Sequence, residues 1–226
     1  MTDINRKQMK SWVIAQRWSH VQFLSVPCDA EYVRQRLPAG LELDLFEGSA
    51  WLSIVPFYMS HIRFPLTPAL PVISLWELNL RTYVKYRGRP GVLFLTLDTD
   101  SWLGQWIARR FFHLPYRYRS MTGGVDCGRY GFNAPDSFSM ESSVGALVQA
   151  DALDRWLVER YHLYTSDGRS LYRGDVAHEP WCLRAVDELN YDDRLSEQFG
   201  FPAAREVRAR YAEPVDVQFR PFVKLA

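Results

Sequence analysis

Glu77, Asn79 and Arg81 occupy alternate positions in the run Trp76 to Tyr86, so an extended backbone points a carboxyl, an amide and a guanidinium to one side. Such a set can exchange a proton, hold a polar group and neutralise an anion, the needs of a small-molecule site. Glu77 and Arg81 are four strand residues apart, about 13 Å, too far for one direct salt bridge. Facing a cavity, each would need a cross-strand partner or a ligand, because a buried unpaired charge is costly. Facing water, neither needs explaining, and the sequence leaves both readings open. A basic-aromatic segment ending in Leu114, Pro115, Tyr116 and Arg117 follows and would complete one side of a pocket. His178, in the cluster His178-Glu179-Pro180-Trp181, is the lone histidine best suited to acid-base work, since imidazole titrates near neutrality. Its plainer alternative is a structural histidine hydrogen-bonded in a turn.

Other chemistries lack their parts. There are only four lysines: Lys7 and Lys10 near the N-terminus, Lys85 beside a hairpin turn, and Lys224 two residues from the C-terminus. Schiff-base catalysis requires a desolvated or cation-flanked lysine, and none of these positions suits one. The five histidines contain no His-x-x-x-His or His-x-His pair, and Cys28, Cys127 and Cys182 are scattered, so no metal site is expected. Neither a Gly-x-Ser-x-Gly elbow nor a Gly-x-Gly-x-x-Gly or Walker-type loop is present, and no cofactor is expected.

A chain of 226 residues with 47% hydrophobic and 23% charged residues can bury a sizeable core and reads as one domain, 1–226, with Met1 to Ser11 as a mobile leader. The net charge of +1 gives no electrostatic reason to expect nucleic acid or an anionic membrane as partner. Scattered thiols, no apolar signal segment and no long apolar run predict a cytoplasmic protein, with homo-oligomerisation left open.

The elements that must position these residues are mostly strands. Trp18 to Pro27 suits a first strand, Asp29 caps a short helix to Leu37, and Leu41 to Phe46 with Ala50 to Ile62 reads as a β-hairpin. A proline-stiffened loop, Phe64 to Pro71, leads into a second hairpin, Leu75 to Tyr86 with Val92 to Leu97. Asp98 or Asp100 would cap a helix from Ser101 to about Phe112, with Leu103, Trp106, Ile107 and Arg110 on its partly apolar face. Short strands and turns fill Tyr116 to Ser139. The clearest helix spans Ala152 to Tyr164, capped by Asp151, with Leu153, Trp156, Leu157, Arg160, Tyr161 and Tyr164 at helical spacing. Ser170 to Val176 reads as a strand, Asp187 to Glu197 as acidic and exposed, and Ala203 to Tyr211 and Pro214 to Phe219 as strand-like.

The runs Leu37-Pro38-x-Gly40-Leu41-x-Leu43, Phe46-x-Gly48-x-Ala50-Trp51, Glu77-Leu78-Asn79-x-Arg81-Thr82-Tyr83-Val84, Leu114-Pro115-Tyr116, Glu159-Arg160-Tyr161-x-Leu163-Tyr164 and His178-x-Pro180-Trp181 together resemble the YqjF-like family of uncharacterised bacterial proteins. That family is similar in fold to acetoacetate decarboxylase. The resemblance implies an α+β domain, predominantly an antiparallel β-sheet, shaped as a decarboxylase-like cone with a central cavity and a few short helices. The decarboxylase pattern runs Gly-Arg-Glu, then an aromatic residue and Pro-Lys-Lys, its first lysine forming the imine and its second lowering the pKa of the first. Here the matching residues are Ala108-Arg109-Arg110, then Leu114-Pro115-Tyr116-Arg117, so Tyr116 stands where the nucleophilic lysine would be. A phenol cannot form an imine. Arg117 keeps the second lysine's charge, Glu77 matches the active-site glutamate of the enzyme branch, and Ser25 to Pro27 fall where its substrate-binding arginine would be.

Together these readings lead to a protein binding a small, partly apolar molecule with a carboxylate or carbonyl, without Schiff-base decarboxylation. Glu77, Asn79, Arg81, Tyr116, Arg117 and His178 are the expected contacts, and Arg109 is expected to be structural. Two alternatives stand beside it: an enzyme using Glu77 or His178 in non-covalent acid-base chemistry, and an interaction domain whose cavity has filled with aromatic side chains.

Overall fold

The computed structural model describes residues 12–65, 74–106, 114–202 and 206–225. The expected leader, Arg109, and residues 66–71 of the proline loop lie outside the described residues. The first part of the chain forms β1 (Ile14–Ser19), β2 (Val21–Cys28), α1 (Ala30–Arg34), β3 (Glu42–Leu43) and β4 (Ala50–Arg63). The central pair is β5 (Leu75–Tyr86) and β6 (Arg89–Thr99), followed by β7 (Tyr116–Tyr118), β8 (Thr122–Asp126), β9 (Arg129–Ala134) and β10 (Phe138–Leu147). Next come α2 (Ala152–Val158), β11 (His162–Ser166), β12 (Leu171–Ala177), β13 (Leu183–Asp193) and α3 (Arg194–Gln198). The chain closes with β14 (Arg208–Ala212), β15 (Val215–Phe219) and β16 (Val223–Lys224).

These strands form one 16-stranded, mostly antiparallel sheet, as the resemblance implied. Seven of them close on themselves: β5 pairs β6, then β11, β12, β15, β1 and β4 follow in order, and β4 pairs back to β5. Closure removes the edges that an open sheet would expose and gives the sheet an inside. A second arm, β2–β14–β13–β10–β9–β8, continues from β4 and folds over the outer face of the ring. One apolar cluster, including Phe23, Val55, Phe57, Val92 and Trp181, lines the inside of the ring. Another, including Ile54, Leu78, Leu80, Phe132 and Phe138, fills the space between ring and arm.

Strand β5 is therefore buried on both faces, with Leu78 and Leu80 turned to the arm and Glu77, Asn79 and Tyr83 turned inward. Its neighbour β6 runs parallel to β11, with Val92 opposite Leu163. The ring depends here on a glycine, because a Cβ at Gly91 would lie 2.5 Å from the His162 carbonyl oxygen.

Several local expectations give way to long-range pairing. The first strand is two, broken at His20, whose φ is 52°. The hairpin expected between Leu41 and Ile62 is reduced to a bridge between Phe46 and Ser49, and β3 pairs with β5 instead. Helix α2 stops at Val158, since His162 to Ser166 are taken by the β11 ladder with β12, so Arg160 and Tyr161 lie beyond the helix and Tyr164 lies in a strand. Asp151 does cap α2, as expected, through a capping box with Asp154.

Residues 102–106 are helical, and the rest of the expected helix lies outside the described residues. Its cap is Ser101, whose Oγ accepts from the Gly104 amide at 3.0 Å, rather than Asp98 or Asp100. Two residues of its expected apolar face, Leu103 and Trp106, are exposed. Asp187 to Glu197 is not a simple acidic surface, because it completes β13 and starts α3, where Leu195 is fully buried. No helix of the described residues is long and apolar enough to cross a membrane.

Candidate functional site

The inside of the ring holds a cavity of about 150 Å³. A cavity of this order takes up benzene in an engineered protein, so it suits a ligand of roughly six non-hydrogen atoms. Aromatic side chains such as Trp18, Phe57, Trp181 and Phe219 line it without filling it. Five of the six expected contact residues, Glu77, Asn79, Arg81, Tyr116 and His178, line it as well.

Strand β5 supplies the polar wall. Glu77 is 3% exposed and accepts two hydrogen bonds: from Asn79 Nδ2 at 3.2 Å on Oε1, and from the Tyr116 hydroxyl, a very short contact, on Oε2. Burial, opposed by the hydrogen bonds from Tyr116 and Asn79 and by the charge of Arg81, leaves the Glu77 carboxyl raised from its ordinary 4.5 to about 7. Burial and the adjacent Glu77 raise the Tyr116 phenol well above its usual range, so the phenol keeps its proton and donates. The pair is thus a carboxyl that changes charge near neutrality and a neutral donor fixed on it.

Arg81 reaches further into the ring. Its Nη2 donates to the Leu157 carbonyl oxygen at 3.3 Å, near the end of α2, and its guanidinium lies 5.2 Å from the centre of the Phe23 ring. No carboxylate among the described residues is within ion-pair distance of it, and its buried Nε has no hydrogen-bond partner. Arg160, a neighbour with a side chain 4% exposed, pairs with Asp44 at 2.6 Å but leaves Nη2 without a partner. His178 Nδ1 lies 2.7 Å from the Glu179 carbonyl oxygen. As a carbonyl oxygen only accepts, that nitrogen carries the hydrogen and Nε2 is left free when the ring is neutral. Burial lowers the His178 pKa, which favours that neutral ring.

Residues 15–216 match the model of the DUF2071 family, described as uncharacterised conserved proteins. The chain belongs to that family. It is 34% identical over 224 residues to the uncharacterised protein YqjF of Bacillus subtilis (strain 168), covering 94% of this chain and 93% of that one. Among solved structures it is similar to the enduracididine biosynthesis enzyme MppR complexed with pyruvate, with TM-score 0.69, 15% identity, and 96% of this chain and 90% of that one covered. It is also similar to an acetoacetate decarboxylase-like enzyme from Sphingomonas wittichii RW1, with TM-score 0.65, 15% identity, and coverage of 94% and 93%. The fold is therefore acetoacetate decarboxylase-like, while these identities carry no activity across.

Tyr116, expected in place of the imine-forming lysine, does point into the cavity. Arg117 does not. Strand β7 lies parallel to β6, with Leu97 opposite Tyr116 and Asp98 opposite Arg117, so alternation turns Tyr116 inward and Arg117 outward. Arg117 Nε instead donates to Asp98 at 2.8 Å, and Arg119 Nε reaches the other oxygen of the same carboxylate at 2.7 Å. Arg117 is thus a clamp on β7 rather than a ligand contact. No lysine lines the cavity among the described residues: Lys85 pairs with Asp44 at 3.3 Å, and Lys224 is exposed in β16.

Sequence reasoning missed Arg160 as a cavity residue because helical spacing placed it on a packing face. The triplet Glu159-Arg160-Tyr161 was nonetheless the available signal, being a charged pair inside an otherwise apolar run.

The raised Glu77 carboxyl makes stability depend on pH. Between 4.5 and about 7 the folded state binds more protons than the unfolded chain, so stability falls as pH rises through that window. Glu77→Gln keeps an acceptor for Tyr116 and removes the titration. Urea unfolding at pH 5 and pH 8 should show wild type losing stability relative to Glu77→Gln, by about 3 kcal/mol at most. Parallel pH dependence in the two proteins would contradict the burial of an ionising Glu77.

Proposed function

We propose that the ring cavity binds a small, partly apolar molecule bearing a carboxylate or carbonyl, and that it does so without forming an imine. The observation that carries this reading is Arg81, a guanidinium in a largely apolar cavity with no carboxylate partner among the described residues and an unpartnered Nε. A half-buried cation of this kind is costly unless an anion or strong acceptor completes it. Pyruvate, the molecule named with MppR, has six non-hydrogen atoms and joins a carboxylate, a carbonyl and a methyl group, which suits both the volume and the mixed walls. The lack of a lysine on the described walls supports non-covalent binding. Three unpaired thiols, Cys127 and Cys182 exposed among them, favour a reducing compartment, the cytoplasm.

Isothermal titration with pyruvate, propionate and propionamide tests the reading. The two carboxylates should bind and the neutral amide should bind at least tenfold more weakly. Equal binding of amide and acid would remove the anion-binding role of Arg81. Borohydride treatment with pyruvate should leave the protein mass unchanged, and a lysine adduct would overturn the non-covalent reading.

A further inference from the structure

We propose that the cavity enolises the 2-oxo acid it binds: Glu77 takes a proton from the carbon next to the carbonyl while Arg81 and Arg160 hold the carboxylate and the developing enolate oxygen. This rests on the binding reading above and adds a reaction to it.

The geometry places a base and two free donors around one small space. The guanidiniums of Arg81 and Arg160 lie 5.9 and 5.1 Å from the centre of the same Tyr83 ring, and both side chains line the cavity. Each keeps one buried N–H without a partner, Arg81 at Nε and Arg160 at Nη2. Asp44 is shared between Arg160 and Lys85, at 2.6 and 3.3 Å, and so does not offset all the positive charge on this side. The charge of Arg81 is felt at Glu77, at His178 and at Arg160, which puts it at the hub of the polar wall. Two unpaired donors on cations suit a ligand with two adjacent oxygens, a carboxylate and the carbonyl beside it.

The step balances without a cofactor. The C3–H bond of the acid breaks and its proton passes to a free lone pair of the Glu77 carboxylate. The electron pair of that bond becomes the C2=C3 double bond, and the carbonyl π pair moves to oxygen, where the guanidinium N–H groups stabilise it. Return of a proton from Glu77 to C3 regenerates the keto acid. Because that proton exchanges with solvent, the reaction writes deuterium into C3 in heavy water. A carboxyl ionising near 7 is matched to this work at neutral pH. His178 is not the oxyanion donor, since its Nδ1 hydrogen is committed to the Glu179 carbonyl.

The test follows the C3 protons of pyruvate and 2-oxobutyrate by proton NMR in heavy water with the full chain. Wild type should accelerate their loss over buffer, and Glu77→Gln should lower the rate by about 100-fold or more while still binding both acids by calorimetry. Tyr116→Phe provides a second variant: losing the bond that holds the Glu77 carboxyl down should move the acid limb of the exchange profile to higher pH. Binding of either acid with exchange no faster than in Glu77→Gln would overturn the enolisation and leave the binding reading intact. Absence of binding by both acids would remove the two together. Exchange that borohydride abolishes with a lysine adduct would also overturn it, because an imine would then carry the chemistry.

Discussion

Arg81→Met should weaken carboxylate binding by about 2 to 3 kcal/mol, on the order of 30- to 150-fold in Kd, and leave folding stability within about 1 kcal/mol of wild type. The two halves of this expectation have one cause. A ligand carboxylate would satisfy an Nε that has no partner among the described residues, so methionine removes a charged hydrogen bond from the complex. The free protein loses the contact with the Leu157 carbonyl and the stacking on Phe23, and in return no longer desolvates a cation. Methionine keeps the unbranched stem that packs along the ring wall. Calorimetry with propionate and a urea melt measure the two halves separately. A variant that binds as wild type does would place the anion elsewhere, and one that unfolds would make Arg81 a structural residue.

Asp98→Ala should cost about 3 kcal/mol and release β7 from β6. Asp98 has no exposed side-chain surface, yet it receives Arg117 and Arg119 on its two oxygens and Thr96 Oγ1 at 3.1 Å. Removing the shared carboxylate leaves two cations to find water, and because Arg117 is 42% exposed by side chain, part of the loss is screened. β7 is only three residues long, so the ion cluster adds to a short ladder with β6. The same change should reach the cavity, since Tyr116 is the residue of β7 that holds Glu77. Denaturant melts of Asp98→Ala and of the Arg117→Ala, Arg119→Ala pair measure it. Comparable losses support one shared cluster, while a neutral Asp98→Ala would show that β7 is held by its backbone bonds alone.

Much of the wall was legible in the chain because a strand has a period of two. Glu77, Asn79 and Arg81 share a face whatever the fold, and the hairpin that carries them is marked by Gly88 and Gly91. The scarcity of lysine and the Tyr116 match were equally local facts. Helical periodicity misled at Ala152 to Tyr164, because pairing of His162 to Ser166 with β12 outweighs a few tenths of a kcal/mol of propensity per residue. The hairpin expected from Leu41 failed for a similar reason, as β3 finds its partner in β5.

The residue order alone fixes which groups stand together on β5 and that the chain holds only four lysines. It could not determine whether that row faced water or a cavity. The ring closure between β4 and β5 decided this, because it turns the row to the inside of the ring while the second arm covers the other face of the strand. Nor could it separate Tyr116 from Arg117, adjacent residues with opposite fates. The parallel register of β7 on β6 sends one side chain inward to Glu77 and the other outward to Asp98, and a register set by partners distant in the chain has no local signature. Arg160 lines the cavity because α2 ends early: the residues after it join a strand that pairs with β12 and with the distant β6.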